Sequence, residues 1–181
     1  MINGLVLSAM IACPFTDVSD RYIPAVETLV ERNITQGITE TQYGTHEHIK
    51  RIDGYVMISK ALGIYEVRPN GSVYTDVPTR AEQEINALWE RNIIEEGERL
   101  NSEDLMTRKD VAEALYNAYT YGIETMSWKE WVTNVGLFKG DEERGMRWEE
   151  PVTRGEFALI LERVYDVLGD YNDIIYTGGN A

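Results

Sequence analysis

The sequence predicts an all-α protein built from three helix–loop–helix repeats, and three observations predict it. A Thr-Arg-x-acid phrase set directly before an apolar run appears as MTRKDVAEAL at 106–115 and VTRGEFALIL at 152–161, with a worn copy, IKRIDGYVMI, at 49–58. A longer stretch, FTDVSDRYIPAVETLVERNITQG at 15–37, aligns with YTDVPTRAEQEINALWERNIIEEG at 74–97. Behind each phrase the apolar residues fall at helical spacing: Ile58, Ala61 and Leu62, then Leu115, Ala118 and Tyr119, then Leu161, Val164 and Tyr165. A unit recurring about every 50 residues cannot bury its apolar stripe alone, so the three must pack together.

Residues 1–13, MINGLVLSAMIAC, come first and are apolar from Ile2 to Ala12. Without a basic n-region the segment is short for a secretory signal, and three readings stay open: an element packed on the body, a signal remnant, or a lipid anchor at Cys13. The first repeat spans 14–67, its first helix running toward Gly37 and its second following Arg51. RPNGS at 68–72 carries the Pro, Asn and Gly of a turn and separates it from the second repeat, 72–121, whose first helix runs toward Gly97. YGIET at 121–125 leads into the third repeat, 122–169, where MSWKEWVTNVGLFKG keeps the first helix and its glycine, Gly140, but lacks the Asp-Val opening. Glycines in these places suit helix C-caps. Residues 170–181 form a C-terminal tail that reads as frayed.

Composition excludes several classes. A net charge of −14, from 31 acids against 17 bases, opposes nucleic-acid binding, which needs a basic face. One cysteine allows no internal disulfide, and His46 and His48 are too few for a histidine-based metal site. No cofactor or metal is expected. No segment reaches the roughly 18 apolar residues that cross a bilayer. DEERGMRWEE at 141–150 lacks the alternating ligands of a calcium loop, and no serine elbow or phosphate loop appears, so the chain is expected not to be an enzyme.

The repeated phrase has a local explanation in part. Thr at N-cap with an acid at N3 is a capping box, worth on the order of 1 kcal/mol, which assigns Thr107 with Asp110 and Thr153 with Glu156, and puts Asp53 at the equivalent position of the first copy. Capping does not account for the arginine at N1. Arg51, Arg108 and Arg154 add positive charge at the positive end of a helix, which is unfavourable unless an anion arrives. A guanidinium beside free backbone N–H groups is a receptor for carboxylate or phosphate, the alternative being an internal salt bridge. PTRAEQE at 78–84 carries the same string inside a first helix, which marks Arg80 as a control outside the site.

With these residues in view, the chain resembles the S-layer homology family, three repeats in tandem over residues 14–169. The FTDV and YTDV openings and the MTR-D, VTRGE and IKRID phrases carry the resemblance. It implies a three-pronged spindle in which the repeats form a pseudo-threefold helical bundle, a monomer that anchors non-covalently to the secondary cell wall polysaccharide of a Gram-positive bacterium. The inter-repeat grooves grip that polymer, often through a pyruvylated sugar, so the implied location is extracellular, at the wall or S-layer. The family's key arginine maps onto Arg51, Arg108 and Arg154, and Lys50, Thr107, Thr153, Asp17, Asp76 and Trp128 complete the ligand-binding candidates. Lys50 replaces the usual Thr, Asp53 and Asp110 replace Glu, and the third opening aspartate is missing, so the grooves of Arg51 and Arg108 rank above that of Arg154. Because such repeats usually accompany a cargo domain, a free-standing or phage-encoded protein binding the same polysaccharide is the alternative.

Overall fold

The computed structural model describes residues 13–65, 71–120 and 126–169. The N-terminal apolar segment up to Ala12, most of the first linker, the second linker and the tail from 170 onward lie outside the described residues. Among the described residues six α-helices carry the fold: α1 (Ile23–Glu31), α2 (Arg51–Leu62), α3 (Glu82–Glu90), α4 (Arg108–Tyr119), α5 (Trp128–Asn134) and α6 (Arg154–Leu168). A 3-10 turn at Thr79–Ala81 leads into α3. Among the described residues there is no sheet, only isolated bridges. The helix-dominated class matches the expectation.

Local chemistry sets the helix limits. Pro24 sits in the first turn of α1, where its missing N–H costs nothing. The first helices stop earlier than the glycines suggested, and those glycines are not their caps. Asn33, Asn92 and Gly136 take positive φ values of 56°, 54° and 75° just past α1, α3 and α5, so the left-handed residue ends each helix before Gly37, Gly97 or Gly140 is reached. Gly37 has another reason to be glycine: a Cβ there would lie 2.4 Å from the Thr39 carbonyl oxygen.

Helix pairing runs across the repeats. The first helix of the second repeat, α3, packs on α2; α5 packs on α4; and α1, from the first repeat, packs on α6, from the third. The predicted faces are buried, with Ile58, Leu115 and Leu161 fully inaccessible and Tyr119 and Tyr165 packed against the core from its margin. From the partner helices Leu29, Ile85 and Val132 are equally inaccessible, and burying one such side chain contributes about 1.5–3 kcal/mol.

A ring of backbone hydrogen bonds joins the three phrases. Ile49 N donates to the Val152 carbonyl at 3.2 Å, Val152 N to Met106 at 2.9 Å, and Met106 N to Ile49 at 2.9 Å. These residues occupy the same place, two before each arginine, and all three are buried. Bridges between His48 and Thr153, Lys50 and Leu105, and Thr107 and Pro151 flank the ring. Three buried amides are thereby satisfied without a sheet.

Candidate functional site

Each arginine begins its helix and reaches into the loop of another repeat. Arg51 donates through Nη1 to the Leu100 carbonyl at 3.3 Å and pairs through Nη2 with Asp110 at 3.4 Å. Arg108 donates through Nε to Met146 at 2.7 Å and through Nη2 to Lys139 at 2.9 Å. Arg154 donates through Nε to Tyr43 at 2.9 Å and through Nη2 to Gln36 at 2.8 Å. The first repeat thus holds the second, the second the third and the third the first.

The backbone amides beside these arginines are not free, contrary to the sequence reading. Arg51 N and Ile52 N donate to Asp104 and Ser102, Arg108 N and Lys109 N to Glu150 and Trp148, and Arg154 N and Gly155 N to Glu47 and Thr45. At α4 and α6 the next amide is taken by the capping boxes Thr107–Asp110 and Thr153–Glu156. Loop carbonyls dock where an anion would, because orphan amides at a buried helix start must be satisfied by something. Of the groups the sequence offered to an anion, only the guanidinium groups remain.

The space beside them differs. Arg51 lines a cleft of about 400 Å³ with Trp128, Tyr74 and Arg99, in which Glu95, Glu96, Asp110 and Glu113 supply negative charge. Arg51 Nε is buried there without a hydrogen-bond partner. Burial raises Glu113 above the usual glutamate value, and burial with Glu95 and Glu96 nearby pushes the Tyr74 hydroxyl up to about 12. Arg154 lines a cleft of about 490 Å³ with Lys60, Arg80 and Asp53, and its guanidinium stacks 4.7 Å from the Tyr43 ring centroid. Arg108 is only 4% exposed, beside a space of about 50 Å³. By room alone the order differs from the sequence ranking: of the three arginines, Arg51 and Arg154 line the larger clefts.

The other candidates divide. Trp128, the first residue of α5, lines the Arg51 cleft, with Trp148 edge-on at 4.9 Å. Asp17 accepts from the amides of Tyr43, Gly44 and Thr45, and Asp76 from those of Leu100 and Ser102. Burial pulls both carboxyls upward, but these amides outweigh it and hold them below the usual value. Both shape their own loops, and neither lines a described cleft. Thr107 and Thr153 spend their hydroxyls on caps, and Lys50 pairs with Glu103 at 2.6 Å. Asp53 does not cap α2, whose N-cap Lys50 makes no side-chain capping bond; it pairs with Arg80 at 2.8 Å. Arg80 is therefore no neutral control. Sequence reasoning missed Tyr43, Lys60 and Arg99, which carry no repeated signature.

Among the described residues no helix is long and apolar enough to cross a membrane, and no group of acids, histidines and cysteines converges on a metal-sized point. The chain is 27% identical to exoglucanase XynX of Acetivibrio thermocellus over 88% of its length, and 26% identical to a cell surface protein of Thermoanaerobacter kivui over 91%. An amylopullulanase of Thermoanaerobacterium thermosulfurigenes is 24% identical over 86%. The chain spans only 17%, 23% and 10% of those proteins respectively, so the similarity concerns one part of each. The S-layer homology domain profile matches residues 14–53, from the first opening motif to the start of α2. Over those residues the chain is similar to an S-layer homology domain.

Proposed function

We propose that this protein is a non-catalytic wall-binding module of three S-layer homology repeats in pseudo-threefold, spindle-like arrangement, holding a Gram-positive secondary cell wall polysaccharide at the bacterial surface. The observation that carries it is the cross-repeat placement of Arg51 and Arg154, each beside a cleft of sugar size, about 400 and 490 Å³. An acidic substituent such as a ketal-linked pyruvate gives each guanidinium a carboxylate to pair with, and Trp128 offers an apolar face to a pyranose ring. The domain match and the surface protein among the relatives support the location.

Sedimentation with purified walls tests the reading. The protein is expected to pellet with native walls and to stay in solution with walls stripped of their secondary polysaccharide. Arg51→Gln and Arg154→Gln should each weaken pelleting about tenfold, the loss of one charge-assisted contact. Arg144→Gln, on a side chain lining no described cleft, should leave it intact. Equal pelleting with both wall preparations would contradict the proposal.

A further inference from the structure

The narrow space at Arg108 has a charge distribution unlike that of the protein. In a chain of 31 acids and 17 bases, Arg21, Arg108, Lys139, Arg147 and Arg163 line one cleft, with Glu156 the one carboxylate among its lining residues. They come from separate places: the approach to α1, the start of α4, the loop after α5, and α6. Arg147 is neutralised by Asp141, Glu150 and Glu156 at 3.3–3.5 Å. Arg21, Arg108, Lys139 and Arg163 take no carboxylate within ion-pair distance among the described residues.

Arg108 is the centre of the cluster. Its Nε and Nη2 are held by carbonyls and its guanidinium lies 5.3 Å from the Phe138 ring centroid, so it is fixed in place, while Nη1 makes no hydrogen bond among the described residues. Burial, with Arg147 close by, lowers its proton affinity from the usual arginine value against the opposing pull of Glu156 and Glu150. Gathering like charges around one narrow space is unfavourable unless an anion enters it. The space, about 50 Å³, holds a few water-sized groups and is too small for a pyranose.

We propose that the Arg108 cleft binds a tetrahedral oxyanion, a phosphate group, clamped between the starts of α1 and α4, the loop after α5, and α6. This goes beyond the wall-binding reading and does not depend on it. The ligand would fasten the approach to α1, in the first repeat, to the second and third repeats, whereas Arg51 and Arg154 face open clefts.

Thermal unfolding in phosphate-free buffer, with inorganic phosphate titrated against sodium chloride of equal ionic strength, is the test. Phosphate should raise Tm in a saturable way that chloride does not reproduce, and the 31P line should broaden on addition of protein. Lys139→Gln and Arg21→Gln change side chains on the rim and keep the fold, as circular dichroism will verify, and each should weaken the apparent affinity about tenfold. A rise matched by chloride, a rise undiminished in both variants, or one produced by pyruvate but not by phosphate would overturn the proposal. No wall material enters this measurement, so it fails or succeeds separately from the sedimentation result.

Discussion

Arg154 stacks its guanidinium 4.7 Å from the centroid of the Tyr43 ring and donates its Nε to the Tyr43 carbonyl at 2.9 Å. The two residues belong to the third and first repeats, so this one side chain ties the last helix to the first loop. Replacement by Ala leaves carbonyls of Tyr43 and Gln36 without their donor and is expected to cost about 3 kcal/mol in denaturant unfolding. Arg154→Lys, which keeps charge but loses the planar fork, should fall between wild type and Ala.

Gly155→Ala should also loosen this joint. A Cβ there would lie 2.8 Å from Thr45 Cγ2 and 3.0 Å from the Thr45 carbonyl, which already accepts from Gly155 N. Loop and helix cannot both keep their positions, and a loss of about 1–3 kcal/mol is expected in the same unfolding measurement. Since the helix would otherwise welcome Ala, a gain in stability would refute the close approach.

Acid stability should depend on Asp17 and Asp76. Both carboxyls are held below the usual value of 3.8 in the folded protein, so their contribution is complete above that pH and is lost as pH falls toward their folded values. Asp17→Asn and Asp76→Asn should each lower stability at neutral pH and flatten its decline below about pH 4. Urea midpoints measured between pH 2 and 7 would show the two curves converging at the acid end.

Leu29→Ala in α1 is expected to cost about 2–5 kcal/mol, because the side chain is fully buried in a helix that packs on α6. Calorimetry should show one transition in wild type and variant alike. Each repeat lends its first helix to another repeat's second, so no repeat keeps its core when another unfolds. Separate melting of the repeats would exclude this.

The sequence displayed what repeats locally. Ile58, Leu115 and Leu161 follow the helical period and are buried, and the capping boxes of α4 and α6 are written in Thr107–Asp110 and Thr153–Glu156. What it hid is long-range backbone pairing. Ile49, Met106 and Val152 look like ordinary apolar residues before a cap, and nothing local announces that their amides and carbonyls close a ring. The same pairing consumes the helix-start amides that seemed available to an anion. Tyr43 has Leu100 as its counterpart in the next loop, so the ring beneath Arg154 leaves no repeated trace. The cations around Arg108 are scattered from position 21 to 163 and meet only after folding.

The docking of α1 on α6 gives this linear chain a cyclic pairing rule. Circular permutation follows from it: a polypeptide starting at the second repeat, with a flexible tether from the third back to the first, would contain every helix pair and every bond of the Ile49, Met106 and Val152 ring. Where synthesis begins is then a matter of gene order, and the assembled object has no first repeat.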